Sequence, residues 1–275
     1  MTRPAAPSSL SPPPLDRLAG RALALLPPLA LLFGWLVLTR WHLLPLQVIP
    51  GPGAVLRAFA TMAADGTLLA NVAVTVWLLV AGFALGAASG AATGLAIGLS
   101  PRVRDTLLPG LQAMSYIPVL GWLPIWLLVI GIGTTLNVVL VAQAAAFPII
   151  FGTYAGVRDV APEYRELGAV LKLTRRQMLR RIILPAAFPL MWSSIRFGLT
   201  KAWMALVTVE LLASTAGLGF LMTNARGLYR VDVMFVTIFL IGAFGFLLDA
   251  ILQRVEDRVL FWQNPAGRAA RDRRA

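Results

Sequence analysis

The sequence predicts an all-α polytopic membrane protein with six transmembrane helices. Two observations carry that expectation. The 275-residue chain is 58% hydrophobic and only 13% charged, about half the charged share of an ordinary soluble domain. Three runs, 22–39, 66–101 and 106–157, contain no Asp, Glu, Lys or Arg, and about 20 such residues cross a bilayer as helix. The net charge of +12 sits in short stretches between the apolar runs, which marks topology rather than a nucleic-acid surface. With no cysteine and the single His42, disulfides, thiolate chemistry and a histidine metal cluster are excluded.

Each element follows from local chemistry. Residues 1–20, with Pro4, Pro7, Pro12, Pro13 and Pro14, are expected to form a disordered cytoplasmic tail. A first span covers about 21–39, bent at Pro27-Pro28, with Arg40, Trp41 and His42 at its far interface. It lacks a small-residue cleavage pattern and is read as an anchor rather than a signal peptide. The stretch "GPGAVLRAFATMAADG" is too polar at Arg57 and Asp65 to cross. Residues 67–99 form the second span, where Gly82, Gly86, Gly90, Gly94 and Gly98 lie on one helical face and admit a close neighbour. "SPRVRD" is expected to be a loop. The run 106–157 is too long for one crossing, so it divides at "GIGTT", 131–135, into spans near 106–130 and 135–156. A fifth span covers about 185–209. Residues 210–231 read as a loop with a partly buried helix, and a sixth span runs from about 232 to 253. A basic cytoplasmic tail, 263–275, ends the chain.

Lys and Arg residues set the orientation. Eighteen lie on the side of the chain termini, the 100–105 turn and the 158–184 interlude; four, Arg40, Arg57, Arg226 and Arg230, lie on the other. That asymmetry places both termini and the interlude in the cytoplasm.

The interlude is the longest charged stretch between apolar runs. In it Val160, Tyr164, Leu167 and Leu171 recur at helical spacing, with Glu163, Arg165 and Glu166 off that stripe, which predicts a short amphipathic helix. Thr174-Arg-Arg-Gln177 is a capping-box pattern opening a second helix. Pro185, without an N–H, sets a bend or a fresh helix start where the chain re-enters the membrane. By physics alone the interlude is equally a basic amphipathic segment lying on anionic lipid.

Spacing separates the two readings. Glu166, Ile182, Leu184 and Pro185 in "ELGAVLKLTRRQMLRRIILP" resemble the EAA loop of the integral-membrane subunits of ABC importers, in the version of the nitrate, sulfonate and taurine permease family. "IPGPGAVLRAF", "IPVLGWLPIWLLVIGIG" with Pro118 and Pro124, and "RFGLTKAWMALVTVELLASTAGLGFLMTNA" are similar to that family's segments in the same order, so the resemblance runs from Ile49 to Trp262. It implies a type I ABC importer permease fold over 21–262, with a cytoplasmic coupling helix in the loop 158–184. It implies docking to a cytoplasmic ATPase through Glu163, Tyr164, Glu166, Leu167, Gly168, Leu171 and Lys172. It further implies a homodimer, two ATPase subunits that hold the ATP and Mg, a periplasmic or lipid-anchored binding protein, and a bacterial inner-membrane location. The cargo it implies is a small oxyanion such as an alkanesulfonate, taurine or nitrate. There are departures: Leu167 and Gly168 stand where the pattern has two alanines, and Lys172 where it has a glycine, which bears on a turn needing positive φ.

Arg196, Lys201 and Glu210 lie in or beside the fifth span, where ionised groups are costly unless paired or wet. They either line an anion path or act structurally, as ion pairs or as side chains snorkelling from a helix end, and Glu210, near the outer end, favours the structural role. On the hairpin, Tyr116, Pro118, Trp122 and Gln143 complete the candidate substrate path, although aromatics there more often pack than bind ligand, and the prolines read as helix breaks lining a cavity. Neither Lys172 nor Lys201 follows a glycine, so no G-K-[ST] phosphate loop is present; the chain is expected to be non-catalytic and to bind no cofactor or metal. The alternative is a stand-alone secondary transporter or channel for a small anion. Against it stand the scarcity of intramembrane carboxylates, Glu210 and Asp249 alone, and the lack of an evident repeat.

Overall fold

A computed structural model describes residues 14–41 and 48–259, and all regular elements among them are helical. His42, Trp262 and residues 1–13 and 263–275 of the expected tails lie outside the described residues. The chain divides into two compact units, 1–57 and 58–275. In the first, α1 (Pro14–Arg40) begins within the expected tail and runs uninterrupted through Pro27 and Pro28. The Trp35 indole N–H donates to the Pro50 carbonyl at 3.0 Å, tying the start of α2 (Pro52–Ala64) back to α1.

The second unit is built on α3 (Thr67–Leu99) and α6 (Thr134–Arg158), its most extensively packed pair. Gly82, Gly86, Gly90 and Gly94 are buried on α3. Their missing side chains leave room for Val141, for the Ala142–Ala145 turn, for Ile149 and for Thr153 in turn, and Gly98 faces Val157. Contacts that advance together along both helices make α3 and α6 parallel. Backbone-close packing of this kind replaces the hydrophobic drive that lipid cannot supply.

Parallel packing fixes what lies between them. The chain leaves one end of α3 and must reach the opposite end to begin α6, so α4 (Pro101–Ser115) and α5 (Val119–Ile130) together make one crossing, bent by 101°. The expected loop "SPRVRD" is instead the start of α4. Ser100 caps it by accepting from the Val103 N–H at 3.5 Å, and Pro101, whose N–H would be orphaned anyway, occupies the first turn. Pro118 stands at the bend, whereas Pro124 sits inside α5 without breaking it, a correction to the expectation that both interrupt the span. Gly131 (φ 83°) and Gly133 (φ 154°) make the expected turn into α6.

The interlude holds α7 (Pro162–Val170) and α8 (Arg175–Met178), then a π-helical turn, Leu179–Ile183, leading into α9 (Leu184–Ala213). Pro185 cannot donate to the preceding turn, and the helix passes it by widening: the Leu184 N–H reaches back five residues to the Leu179 carbonyl. α9 runs antiparallel to α6, with Ala187 against Gly156 and Gly198 against Ile149. A core of Leu78, Leu79, Val141, Ala145, Ile149, Ala202 and Leu206 joins α3, α6 and α9. α10 (Leu218–Gly227) is the expected partly buried helix, and α11 (Val231–Val259) returns antiparallel to α9, with Gly245 against Trp203. The Ser100 turn, the interlude and the end of α11 therefore share one end of this unit. Among the described residues four helical stretches are long and apolar enough to cross, the bent pair makes a fifth, and α1 adds a shorter apolar run, Leu26–Arg40.

Candidate coupling loop and membrane cavity

The interlude builds a short helix outward from the bundle. Val160 does not belong to the exposed stripe, as its spacing suggested. It lies in the turn before α7, 7% exposed, and packs with Val157, Ile183 and Ala187, because α7 begins only at Pro162. The stripe is instead Tyr164, Leu167, Val170 and Leu171, each more than half exposed. Gly168 is buried against Met178 and Ile182, so α7 rests on the following helix through the one position with no side chain. Thr174 and Gln177 close the expected capping box, each side chain accepting from the other's backbone N–H, at 2.9 and 3.3 Å.

Lys172 adopts φ 49°. Its N–H donates to the Ala169 carbonyl and the Leu173 N–H to the Gly168 carbonyl, both at 3.0 Å, a Schellman close that satisfies two terminal carbonyls of α7. The left-handed turn is thus kept without the glycine, and Gly168 does not supply it. A side chain there costs about 1 kcal/mol. Lys172→Gly is expected to slow amide exchange in α7 by roughly fivefold; unchanged exchange would mean the turn carries no strain.

Inside the membrane region a cavity of about 580 Å³ opens beside the α4–α5 bend. Its walls come from α5 (Pro118, Val119, Leu120), α6 (Phe147, Pro148, Phe151) and α9 (Phe197, Lys201, Met204, Thr208). Phe147 and Phe151 stack with centroids 6.5 Å apart, and the Lys201 ammonium lies 5.2 Å from the centre of the Phe197 ring. Lys201 forms no ion pair with any described residue.

The remaining path candidates separate. Tyr116 is 84% exposed at the bend; Gln143 accepts from the Trp126 indole N–H at 2.8 Å; and Trp122 packs with Leu136, Leu140 and Val209. Arg196 lies outside the cavity wall and clamps α11, donating to Asp249 at 2.8 Å and to Glu256 at 2.7 Å. Glu210 is 1% exposed, so it does not snorkel from the helix end, and it forms no ion pair among the described residues. It accepts from the Thr75 hydroxyl and the Gly219 N–H, both at 2.8 Å, while Thr75 accepts from the Leu218 N–H at 2.9 Å. The carboxyl thereby holds the start of α10 against α3, with Gly217 (φ 111°) seated directly over it.

Sequence reasoning did not single out the cavity's phenyl rings. Phe147 and Phe151 share a helical face, but within a wholly apolar run that face carries no signal.

A polar-ended helical bundle with a broken span, a cavity at the break and a short helix hung outside it defines a membrane transport component. The chain belongs to the family described as binding-protein-dependent transport system inner membrane component, whose model matches residues 82–261. It is 34% identical to a protein of Escherichia coli (strain K12) named as an aliphatic sulfonates transport permease protein, SsuC, over 87% of this chain and 90% of that one. It is 32% identical to the taurine transport system permease protein TauC of the same organism, over 83% and 84%. Its fold matches a chain of the methionine ABC transporter MetNI, solved in inward-facing conformations, with a TM-score of 0.63 at 17% identity, covering 72% of this chain and 98% of that one. The protein is a permease of an ABC importer.

Proposed function

We propose that this permease works as a homodimer with two cytoplasmic ATPase subunits and a periplasmic or lipid-anchored binding protein, and imports a small organic or inorganic oxyanion. The exposed face of α7 carries the reading. A nine-residue helix is unstable alone in water, and seating Tyr164, Leu167, Val170 and Leu171 in a partner's cleft stabilises it. Glu163, Glu166 and Lys172 flank that face, so Glu163, Tyr164, Glu166, Leu167, Gly168, Leu171 and Lys172 form the docking element. ATP and Mg belong to the partner. Names of the relatives support an alkanesulfonate, taurine or nitrate as cargo. Lys201 and Pro118 line the path, while Tyr116, Trp122, Gln143 and Arg196 support its walls. Co-expression with the ATPase should yield a particle with two copies of each chain that takes up labelled sulfonate on addition of ATP and binding protein; a lone permease that still transports would overturn the reading.

Six spans with both termini in the cytoplasm complete the proposal, the tails 1–20 and 263–275 flanking a permease domain of 21–262. The chain has no cysteine, so single-cysteine variants carry no background. In intact cells an impermeant thiol reagent should modify Asn224→Cys and spare Arg175→Cys. The reverse pattern inverts the orientation, and labelling of both breaks the span count.

A further inference from the structure

We infer that the outer face of the helix climbing from the interlude into the membrane is a seat for an anionic phospholipid: Arg176, Arg180 and Arg181 hold the headgroup phosphate, and Pro185, Ala186 and Leu190 take the acyl chains. By sequence the interlude admits two readings, a docking helix and a basic segment on anionic lipid. The structure puts them on different helices, so the seat stands apart from the cargo and from the docking of α7.

Packing fixes which way the arginines point. Gly168 of α7 closes on Met178 and Ile182, and Met178, Leu179 and Ile183 pack with Val157, Val160 and Ala187. Those sides of the climbing helix are spent on the protein. Arg176 and Arg180, one turn apart, lie opposite the side of Met178 and Ile182, and Arg181 follows on the outer flank; all three are exposed. Arg175, three and seven residues before Met178 and Ile182, shares their side and is no part of the seat.

The charge of these three is uncompensated. At the same end of the bundle Arg104 has Asp105 at 2.9 Å and Arg158 has Asp159 at 2.8 Å, and within the span Arg196 has Asp249 and Glu256. Arg176, Arg180 and Arg181 form no ion pair with any described residue, and neither do Glu163 and Glu166 of α7. A guanidinium meets a phosphate with paired N–H donors, and each arginine at an anionic membrane surface is worth about fivefold in affinity. A zwitterionic headgroup gains less, because its own cation already answers its phosphate.

Apolar surface begins where the charge stops. Residues 182–195 contain no Asp, Glu, Lys or Arg. On the exposed side Arg181 is followed one turn on by Pro185 and Ala186, and a further turn on by Leu190, 47% exposed. An acidic soluble partner would answer the arginines and leave this surface uncovered, whereas one amphiphile fits both parts.

The test uses the full-length chain in phosphatidylcholine vesicles. The chain has no cysteine, so Ala186→Cys takes a single bimane label at the seat, and Leu85→Cys takes one on the exposed side of α3. Quenching by phosphatidylglycerol with brominated acyl chains, against brominated phosphatidylcholine, reads the local preference at each label. Phosphatidylglycerol should be preferred at least tenfold at position 186 and less than twofold at position 85. Arg176→Gln, Arg180→Gln and Arg181→Gln should each lower the preference at 186 by two- to fivefold, and together should bring it to the value at 85, with a melting temperature like that of the parent. Arg268→Gln, Arg271→Gln and Arg273→Gln combined, an equal loss of charge in the tail, should leave it unchanged. Equal quenching by the two lipids at 186 overturns the seat, as does an equal fall in the tail variant, which would make the preference an effect of net charge. Displacement by inorganic phosphate at matched ionic strength would make this a site for a free anion, and a triple variant that loses ATPase association in phosphatidylcholine alone would assign the arginines to that partner; either result overturns the seat.

Discussion

Gly86→Leu is expected to keep the permease from accumulating in folded form. A Cβ at position 86 would run into the Ala142 carbonyl oxygen and would lie 2.8 Å from the Ala145 Cβ. Neither neighbour can move away, since one is backbone and the other has no rotamer. The same helix pair is held by four further glycines, so α3 and α6 would have to separate along their length. Such overpacking costs on the order of 3 kcal/mol or more, a large part of a marginal stability. Gly242→Ala is the matched control: its Cβ would meet nothing within 4 Å, and the change should be neutral or stabilising by about 0.5–1 kcal/mol. Monodisperse yield by size-exclusion chromatography and thermal aggregation temperature read both variants. Equal yields would show that α3 and α6 tolerate separation and that the glycine face does not hold the bundle.

Glu166→Lys should leave the chain folded and at least tenfold slower in uptake. The side chain is exposed, has no ion pair among the described residues, and lies off the contact that Gly168 makes with Met178. Folding is therefore touched by no more than about 0.5 kcal/mol. On the proposed docking role the substitution places a cation on a loop that already carries Lys172, Arg175, Arg176, Arg180 and Arg181, and reversing a charge at an interface costs on the order of 2–5 kcal/mol. Yield and melting temperature like those of the parent, with lost ATPase association or hydrolysis without uptake, is the expected pair of results. Normal assembly and transport would remove α7 from the coupling surface.

Much of the fold was legible because strong local rules act there. α3 occupies Thr67–Leu99 as the uncharged run required, the α5–α6 turn falls at Gly131–Gly133, and the capping box forms at Thr174. α7 appears where its periodicity placed it, but Val160 was misassigned. Spacing extends a stripe past a helix start that Pro162 forbids, and the residue outside the helix turns inward. The Lys172 turn shows the converse: the backbone demand for φ > 0 is set by the Schellman hydrogen bonds and is met despite the residue.

Length, uncharged runs and the helical spacing of apolar residues in the 158–184 interlude determined by themselves that this is a helical membrane protein, where most of its helices lie and which loop carries a short amphipathic helix. Tertiary structure alone decided that the neighbour admitted by the glycine face of α3 is α6, and that the span expected near 106–130 bends by 101° at Pro118 while continuing through Pro124. It also decided that Arg196 is spent on Asp249 and Glu256, that Glu210 holds the start of α10, and that Lys201 lies over Phe197 in the wall of a cavity. In water, burial writes a period into the sequence because one face must be polar. In a bilayer the lipid-facing and protein-facing sides are both apolar, so that period fades and only contact between helices tells a neighbour from lipid.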